Sequence, residues 1–339
     1  MNPPVPSMSA FAQLARELKQ QVESVRCDVP LSAISRWRIG GPAAVYVEPA
    51  TSVEAGNVMR TVSERGLPLF IMGDSSNTLF DSAGFNGVVV RIGRKMSEMR
   101  IKETEVWAQA GIWVPRLVAT VGRSGLTGIE HAIGIPGTLG GLILMNGGSQ
   151  RKGIGQHVVE IVAADAHGEL FRLKRDQCGF AYRKSALQGQ RVVILEATIR
   201  LEPGNAASIR REMLEIMRSR RKKFPHRLPN CGSTFLSDPE MYKTVGPPGH
   251  AIEQVGLKGL KKGGAQISPM HANFIVNNGG ATSDDVLWLI AEARRKVLDS
   301  TGYTMDCEVC HLSQDGILRP AHVSAEKVST ASDLRGTYE

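Results

Sequence analysis

The chain is poor in aromatic residues, 5% of 339, and has five cysteines, an odd number. Sparse aromatics leave no stacking platform interleaved with the basic segments, which argues against single-stranded nucleic acid as a partner. Cys27, Cys178, Cys231, Cys307 and Cys310 are scattered, as expected of reduced thiols and not of a disulfide framework. No run of 18 apolar residues occurs, so no membrane span is expected. The opening MNPPVPSMSA lacks the basic and apolar regions of a secretory signal, and the expectation is a cytoplasmic protein. Glycine and positive charge are plentiful: 36 glycines and a net charge of +8. Two or three domains are expected at this length.

The glycines concentrate in GIPGTLGGLILMNGG, Gly134 to Gly148, around an apolar core of Leu142, Ile143, Leu144 and Met145. Gly134, Gly137, Gly140 and Gly141 allow backbone N–H groups to approach a ligand with no Cβ in the way. Taken alone, the stretch is either a cradle for a flat or phosphorylated ligand or a loop between elements. A second candidate is Gly73-Asp74-Ser75-Ser76-Asn77, directly after an apolar strand at Leu69–Met72. It offers donors to a diphosphate, or it is a hairpin-like turn. It lacks GxGxxG spacing and leads to another strand, Gly87–Ile92, so a Rossmann fold is disfavoured. The basic run Arg218, Arg220, Arg221, Lys222, Lys223 follows the helical pattern Ile209, Met213, Ile216, Met217. Cations suit a last helical turn, and a solvated helix end is favoured there over a nucleic-acid patch. A phosphorylated small molecule is favoured over nucleic acid.

Apolar spacing predicts helices over 11–24, from a capping box at Thr51 and Glu54 to Gly66, over 114–121, near 250–255, and from a Ser283 cap to Gly302. Strands are expected at 43–47, 105–111, 191–201, 272–276 and 305–312, with a hairpin across His167-Gly168. Pro203-Gly204-Asn205 reads as a domain boundary. Residues beyond Pro320 are polar and unpatterned and are expected to be disordered. Cys307 and Cys310 bracket Glu308, but two thiols do not complete a zinc site, so they read as strand packing and no metal is expected.

Eight motifs in order, RIGGPA (38–43), the Gly73–Asn77 loop, GIPGTLGG with Met145-Asn146, YRKS (182–185), GST (232–234), GLKG (256–259), GGAQIS with HANFIVN (263–277) and Glu308-Val309, resemble the UDP-N-acetylenolpyruvoylglucosamine reductase family. The resemblance runs from about Leu14 to Gly316. It implies an α+β fold of the vanillyl-alcohol-oxidase (PCMH) type, with two subdomains clasping FAD, 27–92 and 93–204, and a C-terminal substrate domain, 205–316. Flanking these are an N-terminal helix and tail, 1–26, and a tail at 317–339. The implied activity passes hydride from NADPH through FAD to an enolpyruvyl ether, yielding UDP-N-acetylmuramate for peptidoglycan, and hence for cell-wall biogenesis, cell shape and division. The implied partner is a nucleotide-sugar substrate, with no nucleic acid and no membrane, and the chain is expected to be a monomer.

Carried onto this sequence, the resemblance assigns Ser233 as proton donor, Arg183 to the substrate carboxylate and Glu308 to the developing charge. The implied cofactor residues are Gly40, Gly41, Gly73, Ser75, Ser76, Asn77, Gly111, Gly134, Ile135, Pro136, Gly137, Thr138, Gly140, Gly141 and Asn146. Tyr182, Lys222 and His271 are implied at the substrate. Asp74 and Ser75 stand where the family usually has glycine at one or both places, Leu236-Ser237-Asp238 adds a residue and lacks a cation, and Gln150 replaces an aromatic. Only eight positions separate Arg183 from Arg191, which matches the shorter form of the family without an extra tyrosine loop. These departures motivate two alternatives: a paralogue acting on another unsaturated nucleotide sugar, and a catalytically degenerate FAD-binding protein.

Overall fold

A computed structural model describes residues 8–327. They form two compact units, one of residues up to 28, 44–74 and 87–220, the other of residues 29–43, 75–86 and 221 onward.

The first unit contains helices α1 (Met8–Leu18), α2 (Ser52–Glu64), α3 (Val114–Arg123), α4 (Leu139–Leu144) and most of α5 (Ala206–Lys223). A four-stranded sheet runs in the order Val25–Pro30, Pro42–Val47, Phe85–Arg91, Leu69–Met72. Its last two strands are parallel, with Met72 beside Arg91. The β-branched run Val88-Val89-Val90 is wholly buried there, as a strand covered on both faces requires. A five-stranded antiparallel sheet follows in the order Leu170–Lys174, Val158–Ala164, Val193–Arg200, Glu105–Gln109, Met99–Lys102. Helix α2 starts where the sequence places it: Thr51 Oγ1 accepts from the Glu54 N–H at 3.1 Å. The Glu54 carboxylate reaches back to the N–H of Ala50, one residue short of a reciprocal capping box.

Helix α5 corrects the expected boundary at 204/205. Its buried residues are Ile209 and Ile216, and a Cβ added to Gly122 of α3 would lie 2.9 Å from Ile209 Cγ2 and Met213 Cε. This apolar stripe holds α5 through Arg220 in the first unit.

The second unit also departs from the expected partition, because residues 29–43 and 75–86 belong to it. Strand Thr78–Phe80 pairs in parallel with Cys310–Leu312, and Leu318–Pro320 pairs with the other side of that strand. Trp37, 1% exposed, donates from Nε1 to the Ile275 carbonyl at 2.8 Å, and Asn277 Nδ2 donates to the Trp37 carbonyl at 2.9 Å. These segments are claimed by partners more than 230 residues away in sequence. Helices α6 (Pro239–Thr244), α7 (Pro248–Gln254) and α8 (Ser283–Thr301) and the strands Ala265–Ile267 and Ile275–Asn277 complete the core. Helix α8 is capped by Thr282 instead of Ser283 and closes on Gly302 in the left-handed region, φ 71°.

Two further expectations change. Only Cys310–Leu312 of the expected 305–312 strand is regular, although Met305, Cys307 and Val309 are buried on one side as the alternation implies. Disorder from 317 fails for the described part: residues 318–320 are strand, residues 321–327 are helical, and Ala321 and Ala325 are buried. The remainder of that tail lies outside the described residues. Among the described residues, no helix is long and apolar enough to cross a membrane.

Candidate active site

In the first unit, two glycine-bearing segments meet. A Cβ at Gly73 would lie 2.1 Å from Thr138 Oγ1, so only glycine allows this approach. Residues 110–114 clamp the same stretch: the N–H of Gly140 donates to Ala110 O at 2.8 Å, that of Leu139 to Ile112 O at 3.0 Å, and that of Val114 to Gly137 O at 2.9 Å. Gly111 is required for another reason, since a Cβ there would lie 2.0 Å from the Gly93 carbonyl. Ile135 and Pro136 are half-buried, and Gly141 is exposed with only Thr138 Oγ1, at 3.6 Å, near its missing Cβ.

The orphaned donors are the informative feature. Among the described residues of the first unit, none of the backbone N–H groups of Gly73, Asp74, Gly137 and Thr138 donates to a protein acceptor. Gly137 and Thr138 are buried. Buried N–H groups are almost always paired, so grouped orphans mark a place for an acceptor-rich ligand. Phosphate oxygens fit that donor set.

The Asn146 side chain is tied to the protein. Its Nδ2 donates to Ala181 O at 2.8 Å and its Oδ1 accepts from the Gly155 N–H at 2.9 Å, so both ends are engaged by protein. Ala181 and Lys184 exchange backbone hydrogen bonds of 3.0 Å around Tyr182 and Arg183. The turn is pinned further by Ser185 Oγ to Leu144 O, 2.7 Å, and Gln188 Nε2 to Arg183 O, 3.1 Å. At its tip Arg183 takes φ 55°, a left-handed conformation that bulky residues rarely adopt. Its guanidinium lies 5.6 Å from the Tyr182 ring centroid, and Tyr182 is 56% exposed.

Arg220 was missed. Its Cδ and Nε would lie 2.3 and 2.4 Å from a Cβ on Gly134, so this side chain covers the glycine stretch. Burial pulls its pKa down. The signal was available: Arg220 lies four residues after Ile216 and seven after Met213, on the buried side of α5. Lys222, expected at the substrate, is exposed on the same helix.

In the second unit, the serine loop and Glu308 are joined through the backbone. The Glu308 N–H donates to Thr234 O at 2.9 Å, one residue after Ser233. The Thr234 N–H donates to Asn273 O at 2.8 Å, while the Asn273 side chain exchanges bonds of 2.8 and 3.0 Å with Phe235. Ser233 is half-buried, and no atom lies within 4 Å of where a Cβ on Gly232, φ 81°, would stand. The loop is therefore rigid behind and open in front.

The Ser75–Asn77 segment braces these groups. Cys231 Sγ donates to Ser75 O at 3.2 Å, and burial pushes this thiol up to about 12. Asn77 Nδ2 donates to Glu308 O at 3.0 Å. Ser75 holds φ 49°, which explains why glycine is usual there, and its Oγ accepts the Arg36 N–H at 3.1 Å. Gly40 and Gly41, expected at the cofactor, are accounted for by packing: added Cβ atoms would lie 2.7 Å from Phe80 Cβ and 2.5 Å from Gly84 N. His271 sits among aromatics, 5.4 Å from the Phe224 ring and 5.1 Å from Phe274, with Nδ1 accepting from the Asn273 N–H. Burial lowers its pKa, so the neutral ring braces the turn.

The departures have structural reasons. Asp238 caps α6, accepting from the Glu240 N–H at 2.9 Å, and also accepts from the Tyr303 hydroxyl. Asp74 lies 3.5 Å from Arg91 Nη2. Cys307 is 5% exposed, and burial pushes its thiol up.

Residues 43–174 match a domain family described as FAD binding domain, and residues 224–312 match the UDP-N-acetylenolpyruvoylglucosamine reductase, C-terminal domain. The chain is 51% identical over 307 residues to UDP-N-acetylenolpyruvoylglucosamine reductase 1 of Corynebacterium glutamicum, covering 91% of this chain and 92% of that one. It is 37% identical to the enzyme of that name from Heliobacterium modesticaldum, covering 85% and 90%. The crystal structure of UDP-N-acetylenolpyruvylglucosamine reductase from Thermus caldophilus superposes with a TM-score of 0.72 at 28% identity, covering 85% of this chain and 99% of that one.

Proposed function

The chain belongs to the UDP-N-acetylenolpyruvoylglucosamine reductase family, and on that premise we propose which of its residues carry each step. It has the family's α+β FAD-binding fold and reduces the enolpyruvyl ether of UDP-N-acetylglucosamine enolpyruvate to UDP-N-acetylmuramate, for peptidoglycan, with FAD and NADPH. FAD, when bound, supplies the hydride received from NADPH.

The backbone donors of Gly73, Asp74, Gly137 and Thr138 hold the cofactor diphosphate, which satisfies N–H groups otherwise left orphaned. Ser233 gives its proton to the carbon that bears the ether oxygen. Hydride addition at the neighbouring methylene leaves negative charge there, delocalised into the carboxylate, and a serine is an adequate acid only toward so basic a carbon. Arg183 pairs with the carboxylate; its charge is permanent and its fork matches two oxygens. Glu308 serves the growing charge at that carbon, the role that the family resemblance gives it. The observation that carries this assignment is the 2.9 Å bond from the Glu308 N–H to Thr234 O, which fixes the acid and the serine loop to one another.

Within the departure at 236–238, Asp238 serves as the cap of α6. The protein acts as a cytoplasmic monomer, and sedimentation at 36.7 kDa tests the second point. For the chemistry, anaerobic stopped-flow absorbance is decisive. NADPH should bleach the bound flavin, and UDP-N-acetylglucosamine enolpyruvate should restore its oxidised spectrum. Bleaching without restoration would overturn the substrate.

A further inference from the structure

An aspartate directly after Gly73 is a poor neighbour for a diphosphate. At position 74 it adds negative charge to a loop whose backbone donors are otherwise arranged for an anion. The structure shows how this chain meets that problem. Leu69–Met72 and Phe85–Arg91 are parallel neighbours in register at Met72 and Arg91. Arg91 therefore ends its strand beside the residue that leads into the loop, and its Nη2 lies 3.5 Å from Asp74 Oδ1. On its other side Arg91 Nε is 3.9 Å from Glu48 Oε1. Arg91, Asp74 and Glu48 have side chains 22%, 25% and 19% exposed, so solvent screens them only in part. Burial works against the charge on Arg91, but Tyr46, Glu48 and Asp74 together hold it firmly protonated. Tyr46 is wholly buried, and the Arg26 guanidinium covers its ring at 4.8 Å.

We infer that Arg91 is a positioning residue for the cofactor: it offsets the charge of Asp74, so that a diphosphate is tolerated at the Gly73–Asn77 loop. The inference rests on the reading that this loop holds FAD. With Glu48 included, the cluster of Arg91, Asp74 and Glu48 carries one net negative charge. Removing Arg91 leaves two, removing the charge of Asp74 leaves none, and removing both restores the original one.

The test is FAD release from diluted holoprotein, followed by flavin fluorescence at low and high salt. Asp74→Asn should bind FAD about three- to tenfold more tightly at low salt, and Arg91→Met about ten- to thirtyfold more weakly. The double variant should return to within about threefold of the unaltered protein, and high salt should shrink both single effects. If Arg91→Met does not fold, the sign and salt dependence of Asp74→Asn decide. A double variant as weak as Arg91→Met, or an Asp74→Asn variant no tighter than the unaltered protein, overturns the inference. Gly141→Glu is the control, because space is open at its Cβ. Unchanged FAD affinity in Gly141→Glu sinks the cofactor-site reading itself. Weakened affinity there, beside an unrescued double variant, sinks only the role of Arg91.

Discussion

Replacing Asn146 separates the two roles open to it, cofactor ligand and anchor of the Arg183 turn. In the structure its side chain makes two hydrogen bonds, 2.8 Å to Ala181 O and 2.9 Å from the Gly155 N–H, while its backbone sits at φ 40°. Asn146→Gly removes both bonds, at about 1 kcal/mol each, and relieves the left-handed backbone by about 1 kcal/mol. The net loss should be about 1 kcal/mol. Asn146→Asp keeps the acceptor for Gly155 but sets a carboxylate against the Ala181 carbonyl, for a loss of about 1–2 kcal/mol. Both proteins should fold and retain FAD. The Arg183 turn, no longer tied at Ala181, should deliver its charge less well, so flavin reoxidation by substrate slows about tenfold while reduction by NADPH is unchanged. The assay is stopped-flow absorbance of each half-reaction, with FAD affinity measured in parallel. Weakened FAD binding with an unaltered substrate half-reaction would refute the anchoring role and return Asn146 to the cofactor.

Ser233→Ala should leave reduction by NADPH untouched and slow reoxidation by about 100- to 10,000-fold, as read by the same two stopped-flow experiments. Arg183→Asn removes the guanidinium but suits the left-handed backbone, so thermal stability should hold within about 0.5 kcal/mol while substrate turnover falls; a large drop in Tm would make Arg183 structural. Gly40→Ala forces a Cβ to 2.7 Å from Phe80 at φ 130°, and should cost about 2–3 kcal/mol in chemical denaturation. His131 is 1% exposed, and burial lowers its pKa to about 4. The folded state therefore binds fewer protons than the unfolded chain, whose histidine titrates near 6.5, so stability is full above about pH 6.5 and lost as pH falls toward 4. Its share is about 3 kcal/mol, and His131→Phe should flatten denaturation midpoints across that window.

Much of the fold was legible because it is local. The α8 positions Val286, Leu289, Ile290, Ala293 and Val297 are all fully buried, as their 3.6-residue spacing requires. The membership of 29–43 and 75–86 was not legible, since it depends on pairings such as Thr78–Phe80 with Cys310–Leu312, and nothing in a short window encodes a partner that remote. The motifs located the serine loop, the YRKS turn and the glycine stretch, but motif position does not separate residues that face a ligand from those that support them. Gly40 and Gly41 are glycine because Phe80 and Gly84 are close, and Asn146 is engaged by protein at both ends. Arg220 shows the converse: its charge drew it into a solvated helix end, while its helical phase placed it on the buried side.

Ser75, Asn146 and Arg183 are three of the eight non-glycine residues at positive φ among those described. Each such conformation costs about 1 kcal/mol or more and persists only where neighbours hold it. Here the holding contacts can be named: Arg36 N–H on Ser75 Oγ, Ala181 O and Gly155 N–H on Asn146, and Gln188 on the Arg183 carbonyl. A flexible turn would carry the same arginine without strain, but it would lose conformational freedom on meeting a carboxylate, at about 0.5–1.5 kcal/mol for each ordered side chain. Fixing the backbone of the Arg183 turn during folding moves part of that cost out of the binding step. The same reasoning applies to the second unit, where Asn273 and Asn77 hold the backbones around Ser233 and Glu308 and leave the space beside Gly232 clear. Strain and hydrogen bonding are thus found in the backbone that carries Arg183, Ser233 and Glu308, the groups we propose for the chemistry.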